Sequence, residues 1–299
     1  SILSSILFGH TSATTKKANI KFYDEADRQF EADGCHLERA TIYHRLCLDM
    51  VAIVLVIENK NSSCSEKGLD VLYRGIEFCK AISSKEGLLP IFGDSDSGHI
   101  LWFGEDARDF SGLEIIYSNL NRTPYKSSDI NFNALWHIVI AGKKLEDYDD
   151  ESKINLPSNC INDLSGFISI HKNETDCIMR VGSHGLHGRA PHDHDDALSI
   201  WLYFKGKDFI VEEGCHSYTL DKDIRNRNIN SLAHNLIQPV GENRSESVLG
   251  SIVQTVSGSP SAKDWQVKKI NKNFFKMSAN LDCSTGQNKN FLLYSRNID

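Results

Sequence analysis

The sequence predicts an α+β protein of two domains, helices over residues 1–150 and an antiparallel β-sandwich over residues 151–299. Three observations predict it. Apolar residues recur every three or four positions up to about residue 144, and every second position after residue 160. Between the two regimes lies "LEDYDDESKINLPSN" (145–159), an acidic, polar, proline-bearing stretch that reads as a linker. The later apolar runs are short and separated by Gly, Asn and Asp, as strands of an antiparallel sheet are.

In chain order, "SILSSILF" has helix-like spacing and no basic region before it, so it is a poor secretory signal. It reads as the interior of a helix, and the chain is expected to belong to a longer protein. "HLERATIYHRLCLDMVAIVLVI" carries about five turns of helical pattern, and within it residues 50–57 are too short for a membrane span, which needs roughly 18 apolar residues. "SEKGLDVLYRGIEFCKAIS" is a second helix with Ser65 as N-cap. A third fits residues 131–144, stopping near Gly142 with two lysines at its negative end. "EGLLPIFGDSDSGHILWFG" between them is a structured loop. Strands are expected in "GFISIHKN", "TDCIMRVG", "LSIWLYFKGKDFIVEEG", "SVLGSIVQTVSG", "WQVKKINKNFFKMSANL" and "KNFLLYS", the third folding back at "KGK" as a hairpin.

Composition is that of an ordinary globular chain, with 40% apolar and 24% charged residues. The formal net charge of −7 argues against a nucleic-acid partner. A local basic pocket on an acidic protein still suits a polyanionic glycan. Eight cysteines occur without a CxxC pair, which predicts free, mostly buried thiols rather than a cysteine zinc site.

Three clusters carry candidate chemistry. In "PHDHDD", residues His192, His194 and Asp196 would share one face of a strand. Two imidazoles and a carboxylate there can make a divalent-metal site or a metal site plus a general base. An exposed turn collecting His and Asp for solubility explains the same residues. Glu212, returning along the hairpin, and His234, in a short strand-like run, are the candidate further ligands. In "DGCHLERATIYHR", Arg39 and Tyr43 are four apart on the expected helix, with Glu38 and Arg45 more loosely aligned. A phenol beside an arginine and a histidine can carry protons, though a partly buried core tyrosine explains it equally. "FGDSDSG" can bind a cation, but its spacing is not that of an EF-hand and a hydrogen-bonded turn suffices.

Together, and in order, "DGCHLERATIYH", "LPIFGDSDSG", "PHDHDDALSIWLYFKGKDFIVEEGCHSY" and "RNRNINSLAHN" resemble the heparinase II/III-like polysaccharide lyases, without internal gaps, over about residues 30–240. The resemblance implies a partial (α/α) toroid over 1–150 and a large antiparallel β-sandwich over 151–299. It implies cleavage of uronic-acid glycans by β-elimination, with Tyr43 and His192 as catalytic residues. Glu38, Arg39, His44, Tyr218 and Arg225 are the candidates for binding substrate. His194, Glu212 and His234 match positions that hold a structural zinc. The partner implied is an acidic polysaccharide or oligosaccharide, and the location implied is periplasmic or secreted.

The chain departs from the family pattern at Glu213, His216 and Ile229, where Pro, Tyr and Arg are usual. The family's carboxylate-neutralising Asn-His pair is expected upstream of Ser1. A partial toroid leaves apolar surface that invites association, a homodimer being one form. Two other readings stay open: a catalytically impaired glycan-binding protein with the lyase fold, and a metal-dependent hydrolase built on His192, His194 and Asp196.

Overall fold

A computed structural model describes residues 13–60, 64–95, 100, 106–121, 161–218, 220–236, 246–249, 254–257, 262–270, 275–285 and 290–298. The helix expected over 131–144, the linker over 145–159 and the first eight residues lie outside them. The chain mixes helices with antiparallel sheets and divides into two compact units. One comprises Ser1–His36, Arg45–Cys79 and His99–Asn155; the other comprises Leu37–His44, Lys80–Gly98 and Leu156–Asp299.

The first unit holds α1 (Ala13–Gln29), α2 (Thr41–Lys60, from Arg45 onward), α3 (Glu66–Ile82, as far as Cys79) and α4 (Ser111–Leu120). In α2 every residue from Val51 to Glu58 is buried, as an all-round apolar helix requires. The one charge in that run, Glu58, accepts hydrogen bonds from Tyr23 Oη (2.8 Å) and Asn19 Nδ2. Ser65 caps α3, its Oγ accepting from Gly68 N at 3.2 Å. Arg74 on α3 clamps the end of α1, donating to Asp27 Oδ1 (2.8 Å) and to Glu31 O (2.6 Å). The described cysteines 35, 47, 64, 79, 177 and 215 are free thiols, as their spacing predicts.

The second unit is built on a five-stranded antiparallel sheet in the order β1 (Ile161–Leu164), β2 (Phe167–Lys172), β3 (Thr175–Arg180), β4 (Ile200–Phe204), β5 (Lys207–Ile210). β6 (Glu246–Leu249) pairs with β7 (Gln254–Ser257), and β9 (Phe275–Thr285) lies between β8 (Ala262–Lys269) and β10 (Asn290–Ile298). Ile168, Ile170, Met179 and Ile200 form one apolar cluster with Met277 and Ala279 of β9, so two of the sheets share a core. Each large side chain buried there contributes about 1.5–3 kcal/mol. The hairpin read from "KGK" is present: Lys205 (φ 50°) and Gly206 (φ 76°) turn the chain with two positive φ angles, as a two-residue hairpin turn needs.

Three local expectations are corrected. The helix of "HLERATIYHR" begins only at Thr41, because Arg39 takes a left-handed conformation (φ 63°). Glu38 and Arg39 therefore precede the helix and share no helical face with Arg45 or Tyr43. Residues 191–199 are loop rather than strand, entered and left through Ala190 (φ 46°) and Leu198 (φ 73°), so alternation does not place His192, His194 and Asp196 on one face. His234 follows a 3-10 turn, Ser231–Ala233, rather than lying in a strand.

Candidate active site

Four short segments of the second unit converge: the start of α2, the loop at 92–95, the loop at 191–199, and the stretch 212–236. Thr41 joins the first two. Its N–H donates to Phe92 O (3.0 Å), its hydroxyl donates to Pro90 O (2.5 Å), and that hydroxyl accepts from Phe92 N (3.0 Å). Gly93 then lets the loop meet the third segment. It has φ 71°, and a Cβ there would lie 2.6 Å from His192 O. The following residue, Asp94, donates its N–H to that same carbonyl at 2.8 Å.

Asp94 is completely buried, and its carboxylate gathers three side chains. His192 Nδ1 lies 3.0 Å from Oδ2 and His194 Nε2 2.8 Å from Oδ1. The Arg225 guanidinium binds both oxygens, with Nη2 2.9 Å from Oδ2. Burial works to raise the Asp94 pKa, but the hydrogen bonds from His192 and His194, the attraction of His194 and the bond from Arg225 outweigh it. They hold the carboxyl well below the usual range. Arg225 reaches this point from α5 (Lys222–Ile229), a polar helix started by Asp221, whose Oδ1 accepts from Asp223 N (3.0 Å) and Ile224 N (2.9 Å).

The outer side of His192 is aromatic. Its ring stacks on Tyr43, centroids 4.1 Å apart and planes 14° from parallel. Tyr43 Oη lies 2.8 Å from Tyr218 Oη, and the Tyr218 ring meets His192 edge-on at 6.2 Å. The Arg225 guanidinium sits 5.0 Å from the centre of the Tyr218 ring. The Tyr218 phenol is pushed far above its ordinary range, first by burial, then by the Asp94 charge and the Tyr43 bond. Tyr43 and the His192 side chain are part-exposed, so the stacked pair is open on one side.

The other expected residues are placed as follows. Glu38, half-buried, has its pKa raised by burial, with His192 opposing and Asp94 adding to the shift, which puts it in the field of the same cluster. Arg39 is directed to the β1–β2 turn, where Nη1 donates to Ser165 O at 2.8 Å. His44 is buried. Sequence reasoning missed Asp94 as a site residue by reading "FGDSDSG" as a self-contained turn. Its signal was an aspartate directly after a glycine in a loop that helical or strand periodicity does not explain.

With that geometry in view, residues 163–273 match the family description "Heparinase II/III-like, C-terminal". Over that segment the chain resembles the heparinase II/III-like family. A crystal structure of heparinase III aligns at TM-score 0.64 and 16% identity, over 95% of this chain and 46% of that one. A heparinase III gene product with methylated lysines aligns at 0.60 and 18%, over 91% and 41%. A mutant of the heparan sulfate lyase HepC from Pedobacter heparinus aligns at 0.58 and 15%, over 95% and 44%. At these identities the likeness establishes the fold, and this chain spans less than half the length of each of those three structures. No curated protein matches it.

Beneath Asp94 lies the set expected to hold a metal. His234 Nδ1 is hydrogen-bonded to Glu212 Oε2, whose other oxygen accepts from Asn235 N at 3.1 Å. The His194 and His234 rings are 5.3 Å apart and tilted by 44°. Burial lowers the His194 pKa. For His234 burial also acts downward, but Glu212 and the nearby aspartates raise the net value. Asp196 is buried beside them, 3.7 Å from Arg180 Nε. Its pKa is raised, first by burial and then by the charge of Asp193. Among the described residues no group of three or more His, Cys, Asp or Glu side chains is arranged to hold an ion. Two ligand atoms are nevertheless open: His194 Nδ1 and His234 Nε2 are both buried with no hydrogen-bond partner. Ile229, where the pattern of the resembled family has Arg, is buried against Ala190, and its carbonyl accepts from Asp195 N at 2.9 Å.

Proposed function

We propose that the chain is the C-terminal part of a polysaccharide lyase that cleaves uronic-acid-containing glycans by β-elimination, with a partial (α/α) toroid and a β-sandwich as its two domains. The observation that carries this reading is the stacked pair of Tyr43 and His192, one ring hydrogen-bonded to Asp94 and the other to Tyr218. Elimination needs a base for the proton on C5, which is α to the carboxylate, and an acid for the departing O4. An imidazole and a phenol on the same open face supply both. His192 takes the C5 proton and Tyr43 protonates O4. Tyr218 holds the Tyr43 hydroxyl in place, and Arg225 contributes by holding Asp94. The uronate carboxylate needs a positive or hydrogen-bonding partner as charge develops on it; Glu38, Arg39 and His44 flank the start of the same helix.

We further propose zinc at His194, Glu212 and His234. The donor types fit, and the two buried imidazole nitrogens without partners favour an ion over an empty polar pocket. Zinc bound there would cross-link the 191–199 loop to the 212–236 stretch and support the stack above it. Among the described residues no helix is long and apolar enough to cross a membrane. A periplasmic or secreted setting suits a polymeric acidic substrate.

The test is a panel of heparan-, alginate- and glucuronan-type polymers, followed by the ultraviolet absorbance of the unsaturated uronate. Growth of that band supports the reading. Glycan binding without any such band, unaffected by Tyr43→Phe, would instead identify a glycan-binding protein that keeps the fold.

A further inference from the structure

We propose that a pocket formed by α5 and the 3-10 turn after it is a second glycan subsite, which takes the carboxylate of one uronic-acid unit on Arg227 and its sugar ring on Leu232. The choice of a uronate as ligand rests on the lyase reading above; the donors and the apolar wall belong to the pocket itself.

The pocket has a volume of about 510 Å³ and is lined by Asn226, Arg227, Asn230, Leu232 and Ala233. That volume lies in the range of small-molecule sites. Helix periodicity sets which side chains reach it. Arg225 and Ile229, four positions apart, are buried and anchor one side of α5. Arg227, midway between them, falls on the opposite side and is exposed. Among the described residues its guanidinium is engaged only through Nε, which donates to Asp223 O at 3.4 Å. Both Nη groups therefore remain for a ligand. The Asn230 amide is used on one side only: its Oδ1 accepts from Leu232 N at 3.1 Å, which leaves the Nδ2 donor. Leu232 is 72% exposed, and Ala233 beside it is exposed too. No acidic side chain lines the pocket among the described residues. Donors without a competing carboxylate, next to an apolar wall, match one kind of ligand. A planar guanidinium takes a carboxylate on two parallel hydrogen bonds, an amide N–H takes a hydroxyl oxygen, and a leucine covers the C–H face of a sugar ring. The same arrangement gives an otherwise exposed leucine something to bury.

The test is titration calorimetry of the full chain in a Tyr43→Phe background, so that no saccharide is consumed. The probes are a uronic-acid tetrasaccharide and the same tetrasaccharide with its carboxyls reduced to alcohols. The acidic probe is expected to bind at least about tenfold more tightly than the neutral one, the worth of one charge-assisted hydrogen bond. Arg227→Gln should weaken the acidic probe by about the same factor and leave the neutral one unchanged, whereas Leu232→Ser should weaken both. Lys222→Gln removes the same charge from the start of α5, outside the pocket, and should change binding by less than about twofold at ordinary salt. Equal affinity for the two probes, or no binding of the acidic one, overturns the proposal. So does an Arg227→Gln variant that binds like its parent, or a Lys222→Gln variant that loses as much as Arg227→Gln, since diffuse charge would then explain the effect. Arg227 and Leu232 are exposed, so both variants are expected to fold; if one does not, the comparison of the two probes on the unsubstituted pocket decides alone. Binding is read without turnover. Absence of elimination on every polymer would therefore defeat the lyase reading and leave an Arg227-dependent preference for the acidic probe standing, while elimination without that dependence would do the reverse.

Discussion

His192 and Tyr43 lie face to face, their ring centres 4.1 Å apart, although 149 positions separate them in the chain. The contact exists because Thr41 ties the start of α2 to the Phe92 loop, and that loop in turn is tied to the backbone of His192. The first prediction concerns this pair. Tyr43→Phe keeps the stack and removes only the hydroxyl. It should cost about 0.5–1.5 kcal/mol of stability, the worth of one hydrogen bond, but about 10²–10⁴-fold in turnover. Urea denaturation and steady-state assays on the same sample separate the two effects.

The Asp94–Arg225 pair is wholly buried, so each partner exists to neutralise the other. Arg225→Met should destabilise the protein by about 3–5 kcal/mol, because it leaves a carboxylate uncompensated in the interior. Asp94→Leu combined with Arg225→Met should lose less than the sum of the two single changes. Additive losses in denaturation midpoints would show that the pair is not coupled.

Gly93 is expected to tolerate no side chain. Gly93→Ala places a methyl 2.6 Å from His192 O at φ 71°, and the loop must withdraw. A loss of about 1–3 kcal/mol follows from the strained conformation alone, together with loss of turnover as Asp94 retreats. An unchanged melting temperature would contradict the close approach of the two loops.

In the first unit, burial raises the pKa of Asp49 to about 6, with Arg45 and the Ile100 backbone opposing. A carboxyl whose folded pKa exceeds its unfolded one stabilises fully below the unfolded value, and that contribution is lost as pH rises through the folded value. Stability should therefore fall between about pH 4 and pH 6, by no more than ~3 kcal/mol. Asp49→Asn should remove this slope. The check is the urea midpoint of both proteins across that range.

If zinc sits between His194 and His234, chelation should lower the melting temperature, and His234→Ala should make the protein insensitive to chelator. Elemental analysis of the purified chain gives an independent count. A melting temperature that ignores chelator in the wild type, with no metal found, would leave the buried imidazoles as a hydrogen-bonded cluster only.

Much of the framework was legible in the sequence because it is local. The α3 cap at Ser65, the β4–β5 hairpin at "KGK" and the buried core of α2 each follow from a few adjacent residues. Tyr43, His192 and Tyr218 were found through motif resemblance, and the structure brings these three together. What could not be read is long-range or conformational. Arg39 sits in an apparently helical run, yet its positive φ breaks the pattern and sends its guanidinium to Ser165. Asp94 pairs with partners 98, 100 and 131 positions away, and no periodicity encodes such contacts. The 191–199 loop looked like a strand because His and Asp alternate there. Its backbone is set instead by two left-handed residues and by bonds to Asp94 and Ile229.

The measurement that tests the central claim most directly is elimination itself, followed as uronate absorbance with the protein at its natural length. Wild type, Tyr43→Phe and His192→Gln would be compared on one acidic glycan that supports turnover. The lyase account predicts a growing band for wild type and a nearly flat trace for both variants, with all three proteins folded and still binding glycan. Undiminished elimination in either variant, or no elimination by the wild type on any uronic-acid polymer, would contradict it.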